Sequence, residues 1–268
     1  MKSIHYKFIY IMCITLTLVL SCSSDNGSDA DTDLEIEIDE DTDSQGTVDI
    51  TAVVQANFIN DYTEAVSIQV NGDYISISST GLPDHKTPYW GEGHEMYEDF
   101  PGTNHANANT TMIAFNYVMT IPAYPAEASE KEQTDFGPVG MALNGVPLYN
   151  DYEGGGLLAE DAWGTFDASG AHPGPNEDYH YHCEGEYLTV DDSNLIGFLR
   201  DGFPVYGRKD MDDSYPDDLD ENGGHVGVTS DFSEAIYHYH VSNDVYSTSG
   251  LYVIKSGDYY GTKGTFTE

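Results

Sequence analysis

Tyr179-His180-Tyr181-His182 recurs further along the chain as Tyr237-His238-Tyr239-His240. Strict alternation is the pattern of a β-strand, in which successive side chains point to opposite faces. Each tetrad therefore predicts a strand with two imidazoles on one face and two phenols on the other. Residues two apart on a strand are separated by about 6.5–7 Å. Imidazole nitrogens bind zinc or copper at about 2 Å, so neighbouring rings on one face can reach a common ion. The tyrosines are expected to face an apolar layer.

Each tetrad closes a longer unit. The first runs through Gly140, Asn144, Gly145, Pro147, Tyr149 and His172. The second runs through Gly197, Asp201, Gly202, Pro204, Tyr206 and His225. Tyr179 follows Asn144 by 35 positions and Tyr237 follows Asp201 by 36, each unit opening on [Asn/Asp]-Gly-x-Pro-x-Tyr. The matched spacing predicts an internal duplication, with two half-sites facing across a pseudo-twofold axis.

These motifs resemble the YHYH-domain family of bacterial, largely secreted proteins. The resemblance extends from about Val66 to the C-terminus. It rests on Gly81-Leu82-Pro83-Asp84-His85, Leu143 to Pro147, Ile196 to Gly207, Asp220 to His225 and both tetrads. It singles out these residues and carries no activity with it.

The remaining pattern is also β. Val66, Ile68 and Val70 alternate, Asn71-Gly72 signals a hairpin, and Tyr74, Ile75 and Ile77 return. Ile113, Phe115, Tyr117, Met119 and Ile121 alternate over nine positions, and Leu251 to Ile254 resembles a last strand. Thr47 to Glu64 reads as a weak helical face or a first strand. Pro147 and Pro204 cannot donate to a ladder, which predicts edge strands or irregular turns there. No long amphipathic helix is visible. The expected fold is mainly β, a single domain built as a sandwich or partly closed barrel, with long loops and the internal two-fold repeat.

The N-terminus reads as a targeting segment. Lys2 and Lys7 precede an apolar run from Phe8 to Leu20, and Val19-Leu20-Ser21-Cys22 resembles a lipobox. Residues 1–22 are thus expected to be a lipoprotein signal peptide, with Cys22 lipidated; residues 23–46, rich in Asp, Ser, Gly and Glu, a disordered acidic tether; and residues 47–268 the YHYH-type β domain. The resemblance of the acidic stretch to surface-export signals implies an outer-membrane lipoprotein exposed on the cell surface, touching the membrane through its anchor alone. With Cys13 in the signal and Cys22 used for lipid, Cys183 has no cysteine partner and is read as a small buried residue. A net charge of −38 excludes nucleic acid and anionic lipid headgroups as partners.

The expected chemistry is metal binding. His180, His182, His238 and His240 are the predicted ligands, with His172, His225 or His85 nearby, around one shared ion or two. Copper or zinc fits imidazole ligation best, with iron next. Asp167 and Asp220 each precede a histidine by five positions, His172 and His225, and are predicted to orient them as supporting carboxylates. Asp218, Asp220 and Asn222, before Gly223, also match the first half of a calcium loop, although Thr229 stands where that loop needs a bidentate Glu. Nucleophilic catalysis has no motif behind it. Arg200 and Arg208, the two arginines, read as structural ion pairs. The expected function is a lipid-anchored, extracytoplasmic metal-binding protein, extending to a metal-dependent enzyme on an extracellular substrate. The alternative is a noncatalytic glycan-binding surface lipoprotein of a polysaccharide-uptake system, using Trp90, Trp163 and exposed tyrosines.

Overall fold

Turn chemistry and strand alternation build two sheets in the computed structural model, which describes residues 48–101, 111–134, 136–185, 187–188 and 191–268. The signal segment, Cys22, the acidic tether and Thr47 lie outside the described residues. The strands are, in chain order, β1 (Ser67–Asn71), β2 (Tyr74–Ser79), β3 (Tyr117–Pro122), β4 (Gly140–Ala142), β5 (Pro147–Leu148), β6 (Tyr152–Glu153), β7 (Gly156–Leu157), β8 (Ala171–Pro173), β9 (Tyr179–Tyr181), β10 (Leu195–Leu199), β11 (Pro204–Tyr206), β12 (Gly224–Gly227), β13 (Ile236–His240) and β14 (Thr265–Thr267). Two short helices, α1 (Thr51–Asn57) and α2 (Glu160–Trp163), accompany them.

The smaller sheet has the order β1-β2-β3-β14. Its hairpin turns at Gly72, φ +62°, where Asn71 pairs with Tyr74. Ile75 and Ile77 on β2 and Tyr117, Met119 and Ile121 on β3 are buried at alternate positions. The larger sheet has the order β12-β13-β11-β10-β4-β5-β9-β8. Both sheets contribute to one apolar core, in which Ile77 and Met119 join Met141, Phe198, Val205, Tyr181 and Tyr239. Among the described residues the fold is a mainly β sandwich, with no closed barrel. Burying each such side chain contributes roughly 1.5–3 kcal/mol. The ambiguous N-terminal stretch is α1, whose flank packs Ile50, Val54 and Phe58 at i, i+4 and i+8.

The larger sheet displays the duplication. Read inward from its ends, β8-β9-β5-β4 mirrors β12-β13-β11-β10, and the copies join where β4 pairs antiparallel with β10. Cβ atoms at Gly140 or Gly197 would strike the facing main chain at this seam, so glycine permits the junction. Each copy then turns on its [Asn/Asp]-Gly pair. Gly145 (φ +85°) and Gly202 (φ +86°) occupy the left-handed position of a short hairpin loop, and Asn144 and Asp201 accept from the amides of Val146 and Phe203 at 3.2 and 3.3 Å.

Three strand expectations differ from the structure. Pro147 and Pro204 open the central strands β5 and β11, where a first residue has no ladder hydrogen bond to donate. The alternating run before β3 is not strand: Ile113 is exposed, and Ile113 and Phe115 donate to the carbonyls of Glu177 and Thr80. The last strand is β14; Val253 makes only a lone bridge to Cys183.

Candidate metal centres

The tetrads lie on β9 and β13 with the predicted facing. Tyr179, Tyr181, Tyr237 and Tyr239 enter the core, and the four histidines lie on the other side. A core tyrosine needs a partner for its hydroxyl. Tyr179 donates to Asp167 (2.5 Å), Tyr237 to Asp220 (3.1 Å) and Tyr239 to Asp201 (2.6 Å), while Tyr181 lies 2.9 Å from the Asn144 amide. The turn residue of each copy thus anchors the second tyrosine of its tetrad.

The neighbouring edge strands supply a third histidine to each group. Antiparallel pairing of β8 with β9 sets His172 opposite His180, and β12 with β13 sets His225 opposite His238. A carboxylate completes each set: Glu153 beside His172, His180 and His182, and Asp210 beside His225, His238 and His240. In each group one ligand atom per residue lies within 4.8 Å of all the others.

The ring hydrogens are already spoken for. His180 Nδ1 donates to the Asp178 carbonyl (2.7 Å) and His238 Nδ1 to that of Ile236 (3.0 Å), each two residues back. His182 and His240 donate from Nδ1 to the carbonyls of Asn150 and Gly207, both at 2.7 Å. His172 Nδ1 meets the Thr165 hydroxyl (2.6 Å), whose hydrogen points to the Ala162 carbonyl, and His225 Nδ1 donates to Asp218 (2.7 Å). All six Nε2 atoms are therefore left as lone pairs.

Those lone pairs converge. His180 and His182 Nε2 are 3.1 Å apart, and Glu153 Oε2 is 3.1 Å from His172 Nε2 and 3.4 Å from His182 Nε2. In the second group His225 and His238 Nε2 are 3.0 Å apart, and Asp210 Oδ1 is 3.2, 3.8 and 3.4 Å from the Nε2 atoms of His225, His238 and His240. Four donors at about 2.0–2.1 Å around a tetrahedral ion would be about 3.3 Å from one another. Glu153 Oε2, His172 Nε2 and His240 Nε2 are buried without a hydrogen-bond partner.

Burial is the first cause that lowers the pKa of His180, His182, His238 and His240, that of His240 to about 4. Burial opposes the Glu153 charge; an Nε2 hydrogen on His172 and His182 would hold the carboxylate well below its usual range, and a cation in the same place would do so in its stead. A cluster of unprotonated nitrogens and one anion suits a divalent cation.

Several expected positions differ. The tetrads form two groups on opposite flanks of the sheet, five strand spacings apart from β9 to β13, or about 24 Å at about 4.8 Å each. They do not face one another. His85 lies on the tyrosine side, 2.7 Å from the Tyr181 hydroxyl, and belongs to neither group. Asp167 and Asp220 bind tyrosines, with Thr87 and the amides of Asn222 and Gly224 as further partners, so neither orients His172 or His225. The residues that do are Thr165 and Asp218, each seven positions before its histidine. Asp218 accepts from His225, Asp220 from Tyr237 and the turn amides, and Asn222 Oδ1 from the Asp258 amide, so each side chain of the calcium half-motif already has a hydrogen-bond partner. Glu153 and Asp210 were not singled out from the sequence. Each stands four positions after the tyrosine of Pro-x-Tyr, a repeat hidden among 47 acidic residues.

A family model described as YHYH protein matches residues 118–217, which hold the first tetrad and the opening of the second unit. No curated protein and no solved structure matches the chain.

Proposed function

We propose that this member of the YHYH family binds two first-row transition-metal ions, one at Glu153, His172, His180 and His182 and one at Asp210, His225, His238 and His240. The observation that carries the reading is the convergence of Nε2 lone pairs whose rings have all spent their Nδ1 hydrogens elsewhere. Metal-ligating histidines are held this way, with the distal nitrogen on a carbonyl or carboxylate. Three imidazoles and one carboxylate without sulfur suit zinc or copper, with iron next. The bound ion would supply Lewis acidity, and for copper or iron a redox couple. A metal-dependent reaction on an extracellular substrate is the extension of this reading.

We place the domain outside the cytoplasm, as an outer-membrane lipoprotein held by Cys22 and facing outward. This part rests on the lipobox and the acidic stretch. Among the described residues no helix is long and apolar enough to cross a membrane.

The glycan-binding alternative has less behind it. Trp90 is covered face-on by His94 at 4.6 Å and 4°, and Trp163 meets the Tyr246 ring at 5.9 Å. Elemental analysis of untagged protein tests the metal reading. Two equivalents of zinc, copper or iron per chain are expected, and a folded protein that takes up neither zinc nor copper at saturation overturns it.

A further inference from the structure

The two centres are built from equivalent residues, so their differences are informative. Three differences bear on how a ligand could reach each metal. The first is space. Glu153 and His172 form part of the wall of a cleft of about 620 Å³, with Leu157, Asp161, Pro173 and Pro175. Asp210, His238 and His240 instead line a gap of about 10 Å³, room for roughly one water, although His225 keeps more of its side chain exposed (11%) than His172 (4%). His240 also borders a separate cavity of about 440 Å³, whose lining includes none of the other ligands of its centre.

The second difference is the mounting of the carboxylate. Glu153 ends β6, half of a two-stranded hairpin outside both main sheets. Its turn runs through Gly154 (φ +58°) and Gly155 (φ +101°), which have open space where a Cβ would point. Asp210 sits in a turn closed from both sides, its amide donating to the Ser214 carbonyl and its carbonyl accepting from Asp213, at 2.9 and 3.0 Å. The third is the support behind the edge-strand histidine. It is a carboxylate, Asp218, for His225 and a neutral hydroxyl, Thr165, for His172. A carboxylate behind the ring raises the basicity of the ligand and tightens the metal.

We propose that the first centre is the one that takes an exogenous ligand. Its metal, held by His172, His180 and His182, accepts an uncharged oxygen- or nitrogen-donor molecule from the cleft as the Glu153 hairpin yields a coordination position. The second centre keeps all four protein ligands and holds its ion in place. This rests on the metal-binding reading and assigns different work to the two ions. Catalytic zinc centres keep three protein ligands and one open position, and structural ones are closed by four. Glu153 and Asp161, with no lysine or arginine in the cleft lining, disfavour an anion, and the charge of the metal itself disfavours a cation, which leaves an uncharged donor. An anion would find no partner there beyond the metal.

The test loads the untagged protein with cobalt(II), determines the stoichiometry, then follows release into excess chelator and the visible spectrum on adding imidazole or phosphate. Two equal release phases are expected, differing by about tenfold or more in rate, the range that a supporting carboxylate commands. Imidazole should shift the spectrum of the fast-releasing ion and phosphate should not. Glu153→Gln should accelerate only the fast phase and let imidazole act at lower concentration. Asp210→Asn should accelerate only the slow phase and leave the imidazole response unchanged. One common release rate, an imidazole response abolished by Asp210→Asn, or phosphate acting as well as imidazole would overturn the inference. Failure to bind cobalt at all is read before release begins and counts against the metal reading itself.

Discussion

The Nε2 atoms of His180 and His182 lie 3.1 Å apart, although each ring already donates its Nδ1 hydrogen to a main-chain carbonyl. Two lone pairs at that distance repel unless a positive charge lies between them. A proton is the poorer candidate, because burial holds both rings below their ordinary pKa. A like approach, 3.0 Å between Nε2 atoms, occurs on the far flank of the sheet at His225 and His238, whose Nδ1 hydrogens go to the Asp218 carboxylate and the Ile236 carbonyl.

Asp218 is the carboxylate behind His225, and Asp220, two positions on, is not. Asp218→Asn should weaken the second centre by about 10–100-fold and leave the first unchanged. Asp220→Asn should leave metal affinity at both within about twofold. Competition titration with a chromophoric chelator separates these outcomes; equal loss in the two variants would count against the assignment.

Asp201 is buried with Tyr239, Gly261 and Phe203 donating to its carboxylate at 2.6, 2.9 and 3.3 Å. Asp201→Ala orphans several buried donors and should cost about 3 kcal/mol in urea unfolding, since each unsatisfied buried group costs roughly 1–3 kcal/mol. Folded variant protein should still bind two ions, because these bonds lie on the tyrosine face. Metal loss without destabilisation would contradict the division of faces.

The pH dependence has two signs. His180, His182, His238 and His240 have folded pKa values below the ordinary value of about 6.5, so acid protonates the unfolded chain first. Their contribution is complete above about pH 6.5 and is lost as pH falls towards the His240 value of about 4. Asp201 and Glu184 act oppositely: burial raises them to about 6 and about 7, so their contribution is present in acid and fades as pH rises through those values. The rise in melting temperature on adding zinc isolates the histidines. It should be nearly constant from pH 7.5 to 6.5 and collapse towards pH 4; a rise unaffected by acid would contradict binding through imidazole.

Cys183 is buried beside Leu158, Phe166 and Val253, and burial pushes its thiol well above the usual range. Native protein should resist iodoacetamide and react once unfolded in urea, as followed by mass spectrometry. Rapid labelling of the native chain would contradict this packing.

The faces of the tetrads were legible because alternation on a strand needs no knowledge of tertiary structure. The duplication was legible because Asn144 and Asp201 begin units of nearly equal length. Sheet order was not. The seam between β4 and β10 places the copies back to back, and spacing cannot tell that from two half-sites facing one another. The mistaken pairing of Asp167 with His172 has a similar origin. Both copies share the interval, but a loop residue five positions from a strand residue carries no fixed face, and the interval serves Tyr179 and Tyr237. Glu153 and Asp210 were hidden by composition, since an acidic residue is unremarkable in a chain with 47 of them. Pro147 and Pro204 misled because a proline opening a strand looks, in sequence, like one that interrupts it.

The most direct test is elemental mass spectrometry on untagged protein beside two paired variants, His180→Ala/His182→Ala and His238→Ala/His240→Ala. The account predicts two transition-metal ions per chain in the parent protein and one in each variant, with the remaining ion retained in a folded domain. A folded parent protein that stays metal-free under saturating zinc and copper, or a single ion lost in both variants alike, would contradict two separate centres.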